Sequence, residues 1–512
     1  LNADFLLAFN KTFGNIGIYA TFGGNHMYQR LDVNTEQGGN FYQRDLYTIG
    51  NASQVTPNYI LQERMVNSLY GSAEISYKGF LYLNGTIRND WFSTLSPDQR
   101  SILYPSVTGS WVWSQTFESM PDWMTFGKLR LGWSKVGSDD DISPYNQSLF
   151  YRVEPQNLNG YPIGQIDGGT IPNQSLKPLN TVETEIGLET MFFDNLVFEF
   201  SLYTRTAQNQ ILTREVSNAS GYNNTRVNVA ESSNKGLEFA IGISPFRSTN
   251  FEWRIDANAT FNKSEVISLG TDVEGESITV GNSFFHGELR QVVGRPMAQL
   301  YGWGYLRDPD GNIIHDANSG RPLRSAEQIE FGTAIPTSWG GITNSFTYKG
   351  IMVSILIDFK LGHKIISGTH VNAYRHGFDK ATLPGRDQGF VIGEGVKNIG
   401  TDENPDYVPN DVQTPVQTYY ETIRGFRGSE QSVFDAGSWQ LRQITLGYDF
   451  TRLIPDNKYI KGVKLSLVAN NVAILATDIP HIHPDQNGIM SGLEATGIPV
   501  TRDFGFNLNL QF

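Results

Sequence analysis

The 512-residue chain contains no cysteine, which excludes a disulfide framework and any thiolate-held metal or redox centre. Long apolar runs are also missing: no stretch approaches the roughly 18 consecutive apolar residues of a membrane-crossing helix. That excludes a helical membrane protein. It says nothing against strands, whose apolar residues fall on every second position and average away in a hydropathy window. Basic charge is in deficit, with 39 Lys and Arg against 52 Asp and Glu and a formal net charge of -13, so no nucleic-acid partner is expected. A nucleophile elbow, a phosphate loop and an HExxH helix are all absent. The adjacent acids Asp139, Asp140 and Asp141 fall in a loop, where they repel and hydrate and do not form the separated acid and base of a catalytic pair. The chain reads as a non-enzyme with no cofactor.

Aromatic residues and glycine are plentiful: 23 Tyr, 31 Phe, 9 Trp and 52 Gly. Membrane β-barrels spend aromatics in interfacial girdles and glycine at turns and strand bends. Strict two-residue alternation recurs from end to end. Leu196, Phe198, Phe200 and Leu202 share one face, as do Leu237, Phe239, Ile241 and Ile243. Trp253, Ile255, Ala257, Ala259 and Phe261 form another row, and Ile444, Leu446, Tyr448 and Phe450 another. A soluble sandwich shows the same pattern, so the connections carry the distinction. Short links at 11–15, 78–79, 193–195, 244–250, 349–350 and 451–461 alternate with long ones at 23–62, 137–180, 210–232, 268–335, 362–437 and 471–500. Tight turns on one side and long loops on the other are the signature of an outer-membrane barrel.

The expected fold is therefore all-β, an antiparallel transmembrane β-barrel integral to the bacterial outer membrane. Counting gives about fifteen strands, whereas single-chain bacterial barrels close with an even number. The chain also opens inside an apolar run, without a basic segment and apolar stretch of signal-peptide type. It is expected to be a piece of the barrel, with strands missing before Leu1.

Several segments resemble the SusC/RagA-like family of TonB-dependent outer-membrane transporters. They are Arg88–Asn89–Asp90–Trp91–Phe92–Ser93 followed by Tyr104–Pro105–Ser106–Val107; Lys128–Leu129–Arg130–Leu131–Gly132 with Pro144–Tyr145 after it; and Asn173–Gln174–Ser175–Leu176–Lys177–Pro178 followed by Ile186–Gly187–Leu188–Glu189. The others are Asn234–Lys235–Gly236–Leu237–Glu238, Tyr348–Lys349–Gly350, and Leu441–Arg442–Gln443–Ile444–Thr445–Leu446–Gly447–Tyr448. The resemblance implies a barrel of roughly 22 strands, of which residues 1–512 are the C-terminal portion, the N-terminal plug, TonB box and first strands being absent. It implies TonB-dependent import of a bulky nutrient, an oligosaccharide first and a peptide second. A SusD-like surface lipoprotein would act as lid and an inner-membrane TonB complex as motor, with lipid around the wall. The rivals are a siderophore or vitamin receptor, a passive porin, and a secreted all-β adhesin or glycan-active protein.

Loop aromatics set among amides and acids are the expected ligand contacts: Tyr145, Tyr151, Tyr161, Trp303, Tyr305, Tyr419 and Tyr420, rings for stacking beside groups for hydroxyls. The alternative for each is packing within its own loop. Phe504, Phe506, Leu508, Leu510 and Phe512 form an alternating C-terminal strand that the resemblance implies is an assembly signal. Asp308, Asp310 and Asn312 echo the first half of a calcium loop, but Pro309 intervenes and Ser319 holds the twelfth position, so a polar turn is the better reading. His481 and His483 point the same way in an extended segment. Without visible further ligands they read as loop residues.

Overall fold

Alternation with this period satisfies the pleat, and the computed structural model realises it in fifteen strands. These are β1 (Asn2–Phe13), β2 (Ile16–Phe41), β3 (Ala52–Tyr77), β4 (Leu81–Phe92), β5 (Ser101–Trp111), β6 (Met124–Ser138), β7 (Leu179–Phe192) and β8 (Leu196–Glu215). They continue with β9 (Asn224–Arg247), β10 (Phe251–Leu269), β11 (Ser338–Tyr348), β12 (Ile351–Leu361), β13 (Ser438–Asp449), β14 (Gly462–Thr477) and β15 (Asp503–Gln511). Each lies beside the next in chain order within a 16-stranded sheet, whose sixteenth member, Thr170–Ile171, pairs parallel with β9. The structure describes residues 1–512 except 118, 150, 167–168, 271–274, 284–286, 423–425, 427–429, 454–458, 487–491 and 496.

Two expected loops are largely strand. Residues 23–62 mostly form the paired ends of β2 and β3, leaving only 42–51 as the link. Residues 210–232 shrink to a link at 216–223. The cause is that pairing needs only backbone groups, whereas periodicity needs burial on one face. Beyond Met27 the ribbon mixes polar and apolar residues on both faces, Leu31, Val33 and Ile60 on one and Leu61 on the other, and is held by its ladder and by cross-strand bonds such as Tyr28 Oη to Glu63 Oε1 at 2.6 Å. Link length does not alternate strictly either, because 93–100 is shorter than 112–123.

The chain divides into two units. The first comprises Leu1–Glu118, Lys128–Ile186 and Arg205–Glu231. One face of β3 to β6 carries Leu69, Ile75, Tyr77, Leu81, Leu83, Ile87, Leu103, Val107, Trp111, Leu131 and Trp133, and every one of them is exposed. The opposite face carries Ser72, Glu74, Asn84, Thr86, Arg88, Ser106 and Thr108. Apolar exposure this continuous is far beyond what a water-solvated surface carries. The buried cluster of this unit, Val66, Phe92, Leu95, Tyr104, Ile142 and Leu176, lies instead where strand ends meet the long connections.

The second unit comprises Ser119–Gly127, Gly187–Thr204 and Ser232–Phe512. β11 and β12 join through Lys349 and Gly350, both at positive φ (47° and 96°), the two-residue turn that suits strand twist. Lys349 lies 5.4 Å from the Tyr348 ring centroid, and Lys78, in the first unit, 5.6 Å from that of Tyr77. A lysine beside an aromatic at a tight turn suits a headgroup layer. The connection 270–337 contains a four-stranded sheet of Ser277–Ser283, Gly287–Val292, Gln299–Tyr305 and Arg324–Thr333. The connection 362–437 carries helices α1 (Gly368–Arg375) and α2 (Val416–Glu421). Leu300 and Ile366, both 0% exposed, centre the packing of these insertions.

A bulge interrupts β13. Leu356 pairs Gln443 but Ile357 pairs Leu441, so Arg442 has no opposite number on β12. The apolar pattern slips there too, from Trp439 and Leu441 to Ile444, Leu446 and Tyr448. The extra residue absorbs the slip and keeps both rows on one face.

Candidate ligand-binding loops

In the first unit, Tyr145 (φ 69°) is exposed and lines a crevice of about 160 Å³ with Asn146, Ser148, Gly169, Thr170 and Arg226. Tyr161 lies exposed just past the Asn159–Gly160 turn of the hairpin Tyr151–Leu158 and Tyr161–Ile166. The side chain of Tyr151 lies outside the described residues. The acidic run departs from expectation: Asp139 does not hydrate but is 1% exposed, paired with Arg64 and accepting from the Thr94 hydroxyl. A buried carboxylate persists because both partners are supplied.

In the second unit, local chemistry fixes the insertion on β12. Ser367 caps α1 by accepting from the His370 N–H at 3.1 Å. Glu494, 0% exposed, accepts from the Thr369 N–H at 2.9 Å, the Thr369 hydroxyl at 2.8 Å and the Ser367 hydroxyl at 2.9 Å. A carboxylate at a helix N-terminus meets unpaired N–H groups and the positive end of the dipole. α1 carries Tyr374 against Tyr420, edge to face at 5.3 Å, and Tyr419 meets Tyr420 at the same distance. Tyr420 is buried and donates to the Pro384 carbonyl at 3.1 Å. Tyr419 stacks on His315 at 6.3 Å, and burial pushes its phenol up to about 12. Beside these rings opens a cavity of about 400 Å³ lined by Arg375, His376, Thr382, Arg386, Gln417, Tyr420 and Glu421. Its charged and amide side chains beside the Tyr420 ring and Val416 suit reversible capture of a small polar group.

Trp303 and Tyr305 lie elsewhere in this unit, on Gln299–Tyr305. Arg324 sits 3.8 Å over the Trp303 ring, and the Tyr305 hydroxyl donates to Gln431. The Asp308 turn uses its carboxylate internally: Oδ1 accepts from the N–H groups of Asp310 at 3.0 Å and Asn312 at 2.7 Å, and Oδ2 from the Asn312 amide at 2.9 Å. Those bonds, the Asn312 amide first, hold the carboxyl below the usual range.

The two histidines part company. His481, at φ 68°, bonds Asp379 through Nε2 at 2.6 Å, while His483 Nδ1 accepts from the Asp485 N–H at 3.2 Å. A positive φ breaks the alternation that would have aligned them. Burial alone would raise the Asp379 carboxyl, but hydrogen bonds from the Ala381 N–H and His481, with His370 nearby, outweigh it and hold it low.

Residues that the sequence did not mark include the bulged Arg442, which donates to Asp358 at 2.8 and 3.0 Å, to Asp485 at 2.6 Å and to Asn471 at 3.0 Å. Lys360 adds a second cation at 2.9 Å from Asp485. The apolar slip at position 442 was the available signal. Arg375 and Arg386 gave none, and Gln417 and Glu421 gave none beyond their nearness in sequence to Tyr419 and Tyr420.

A family model for the TonB dependent receptor-like beta-barrel matches residues 2–472. The chain is 22% identical to TonB-dependent receptor P3 of Formosa agariphila, across 99% of this chain and 52% of that protein. It is also 22% identical to TonB-dependent receptor SusC of Bacteroides thetaiotaomicron, across 87% of this chain and 43% of that protein. The chain thus spans about half the length of the curated relatives it matches. The solved structure of the RagAB peptide transporter superposes with a TM-score of 0.79 at 16% identity, covering 100% of this chain and 55% of that one. At that identity the likeness shows the fold.

Proposed function

Because the chain belongs to the TonB-dependent receptor-like β-barrel family, we propose that it supplies wall and outer loops to an importer carrying a bulky nutrient across the bacterial outer membrane. The exposed apolar face of β3 to β6 carries this reading. Lipid is the solvent in which such a face costs nothing, while its polar reverse borders a wet passage. The long insertions, with the 400 Å³ cavity and the ring-bearing sheet, are where ligand is first met. Tyr145, Tyr161, Trp303, Tyr305, Tyr419 and Tyr420 are proposed to bind or frame it, with Tyr420 framing, since its ring is sealed in.

An oligosaccharide is the first choice of cargo and a peptide the second, a RagAB structure being described as a peptide transporter. A SusD-like lipoprotein lid and a TonB complex are the proposed partners. The exposed row Phe504, Phe506, Leu508 and Leu510 on β15, with Phe512 just past its end, is proposed as the assembly signal.

Cell fractionation with growth of a deletion strain on single glycans or peptides tests the reading. Outer-membrane recovery and a growth defect on one nutrient class are expected. A protein found in the soluble fraction, with growth unchanged on every nutrient, would sink it.

A further inference from the structure

In the strand Gln299–Tyr305 burial alternates: Leu300, Gly302 and Gly304 turn inward, and Tyr301, Trp303 and Tyr305 are half-buried on the other face. Three rings at every second residue form a strip spaced by about 6.6 Å. Guanidiniums cover two of them, Arg290 at 4.5 Å from the Tyr301 centroid and Arg324 at 3.8 Å from that of Trp303.

The two cations differ in what else they meet. Arg290 donates to Glu288 at 2.6 and 2.8 Å and to Gln328. Arg295 is paired with Glu330 at 3.6 Å, and Arg307 is paired with Glu430. Arg324 is exposed, and among the described residues it forms no ion pair and donates no hydrogen bond. Its guanidinium lies over the indole face, a contact that restrains it while its N–H groups stay open to solvent. A stacked planar fork of this kind matches the paired oxygens of a carboxylate or sulfate.

From this juxtaposition we propose that the Trp303–Arg324 end of the strip is a subsite for the anionic group of an acidic oligosaccharide. A peptide fits less well. A peptide that binds by strand addition cannot add to Gln299–Tyr305, the ring-bearing strand, which has neighbours on both sides. The rest of the face offers acceptors and donors for hydroxyls, Glu288, Gln328, Glu330 and the Tyr301 hydroxyl, which itself donates to Glu330 at 3.1 Å. The assignment rests on the import reading and narrows its cargo.

The test is titration of the full-length protein, purified in detergent from the outer membrane, followed by calorimetry and tryptophan fluorescence. Its probes are a galacturonate hexamer, a sulfated galactan hexamer, a neutral galactan hexamer and hexaglutamate. One of the two acidic glycans is expected to bind in preference to the neutral hexamer and hexaglutamate, and which one binds distinguishes carboxylate from sulfate. Arg324→Gln is expected to weaken that binding about tenfold or more, the worth of a charge-assisted pair. Arg324→Lys, which keeps charge but loses the planar fork, should fall between, and both variants should keep the heat-dependent gel shift of a folded barrel. Equal binding of neutral and acidic hexamers, an unchanged affinity in Arg324→Gln, no binding at all, or tighter binding of hexaglutamate would overturn the proposal. None of these outcomes touches the import reading, which stands or falls on fractionation and growth.

Discussion

Leu83 of β4 and Leu300 of the inserted sheet are the same residue type in strands of one chain, yet Leu83 is 54% exposed and Leu300 0%. The sheet face around Leu83 is held by its hydrogen-bonded ladder, and its apolar side chains are turned outward. The insertions around Leu300 and Ile366 are held as a soluble protein is, by a small dry core and by buried polar groups with partners, such as Glu494 on α1. A single composition therefore serves two solvents, and a substitution must be judged by the one its side chain faces.

That contrast can be broken first at its strongest point. Ile366→Ala should cost about 2–5 kcal/mol of local stability through lost burial and a cavity. It should be seen as faster proteolysis within 362–437 while the protein still inserts; unchanged cleavage would mean the insertion core is not the support. Leu83→Arg should do the reverse, costing about 2–4 kcal/mol if the position lies near the bilayer midplane. Membrane-inserted yield would drop and the cleavage pattern of inserted molecules would stay the same. A yield equal to wild type would mean this face does not meet lipid.

Acidity sharpens the comparison. Burial pulls buried His370 below its ordinary value, against the upward pull of Asp379. The unfolded chain binds a proton near pH 6.5 that the folded chain resists, so this stability is present above about pH 6.5 and is lost as pH falls. Asp379, held low by its hydrogen bonds, adds a second loss below its ordinary carboxylate range. Corrected for the intrinsic slowing of exchange in acid, the protection of α1 amides should fall between pH 7.5 and 5 while that of β4 and β5 stays constant; equal changes in both would refute the difference. The smallest effect is expected at Asp308→Ala, about 1 kcal/mol from the opened turn, read as faster exchange at Asp310 and Asn312 only.

Strands and their faces were legible because pleating ties them to a period of two. The rows through Trp253, Ile444 and Phe504 needed no tertiary knowledge. The far ribbon of β2 and β3 was not legible, since polar and apolar residues are mixed on both of its faces and leave no period of two to read. Tyr301, Trp303 and Tyr305 could be placed on one face from spacing alone, but not the arginine above Trp303, which comes from the neighbouring strand 21 residues on. Nor could sequence tell that Asp139 is buried, because Arg64 comes from a distant strand.

The bulge at Arg442 sets a rule for change. Trp439 and Leu441 precede it in one phase, and Ile444 and Leu446 follow in the other. Removing that residue would carry away more than a cation: Trp439 and Leu441 would trade the greasy side for the wet one, and Ser438 and Gln440 would make the opposite exchange. Conversely, inserting one residue nearby would undo the correction the bulge now makes. Over this stretch the strand can vary in letters far more freely than in length.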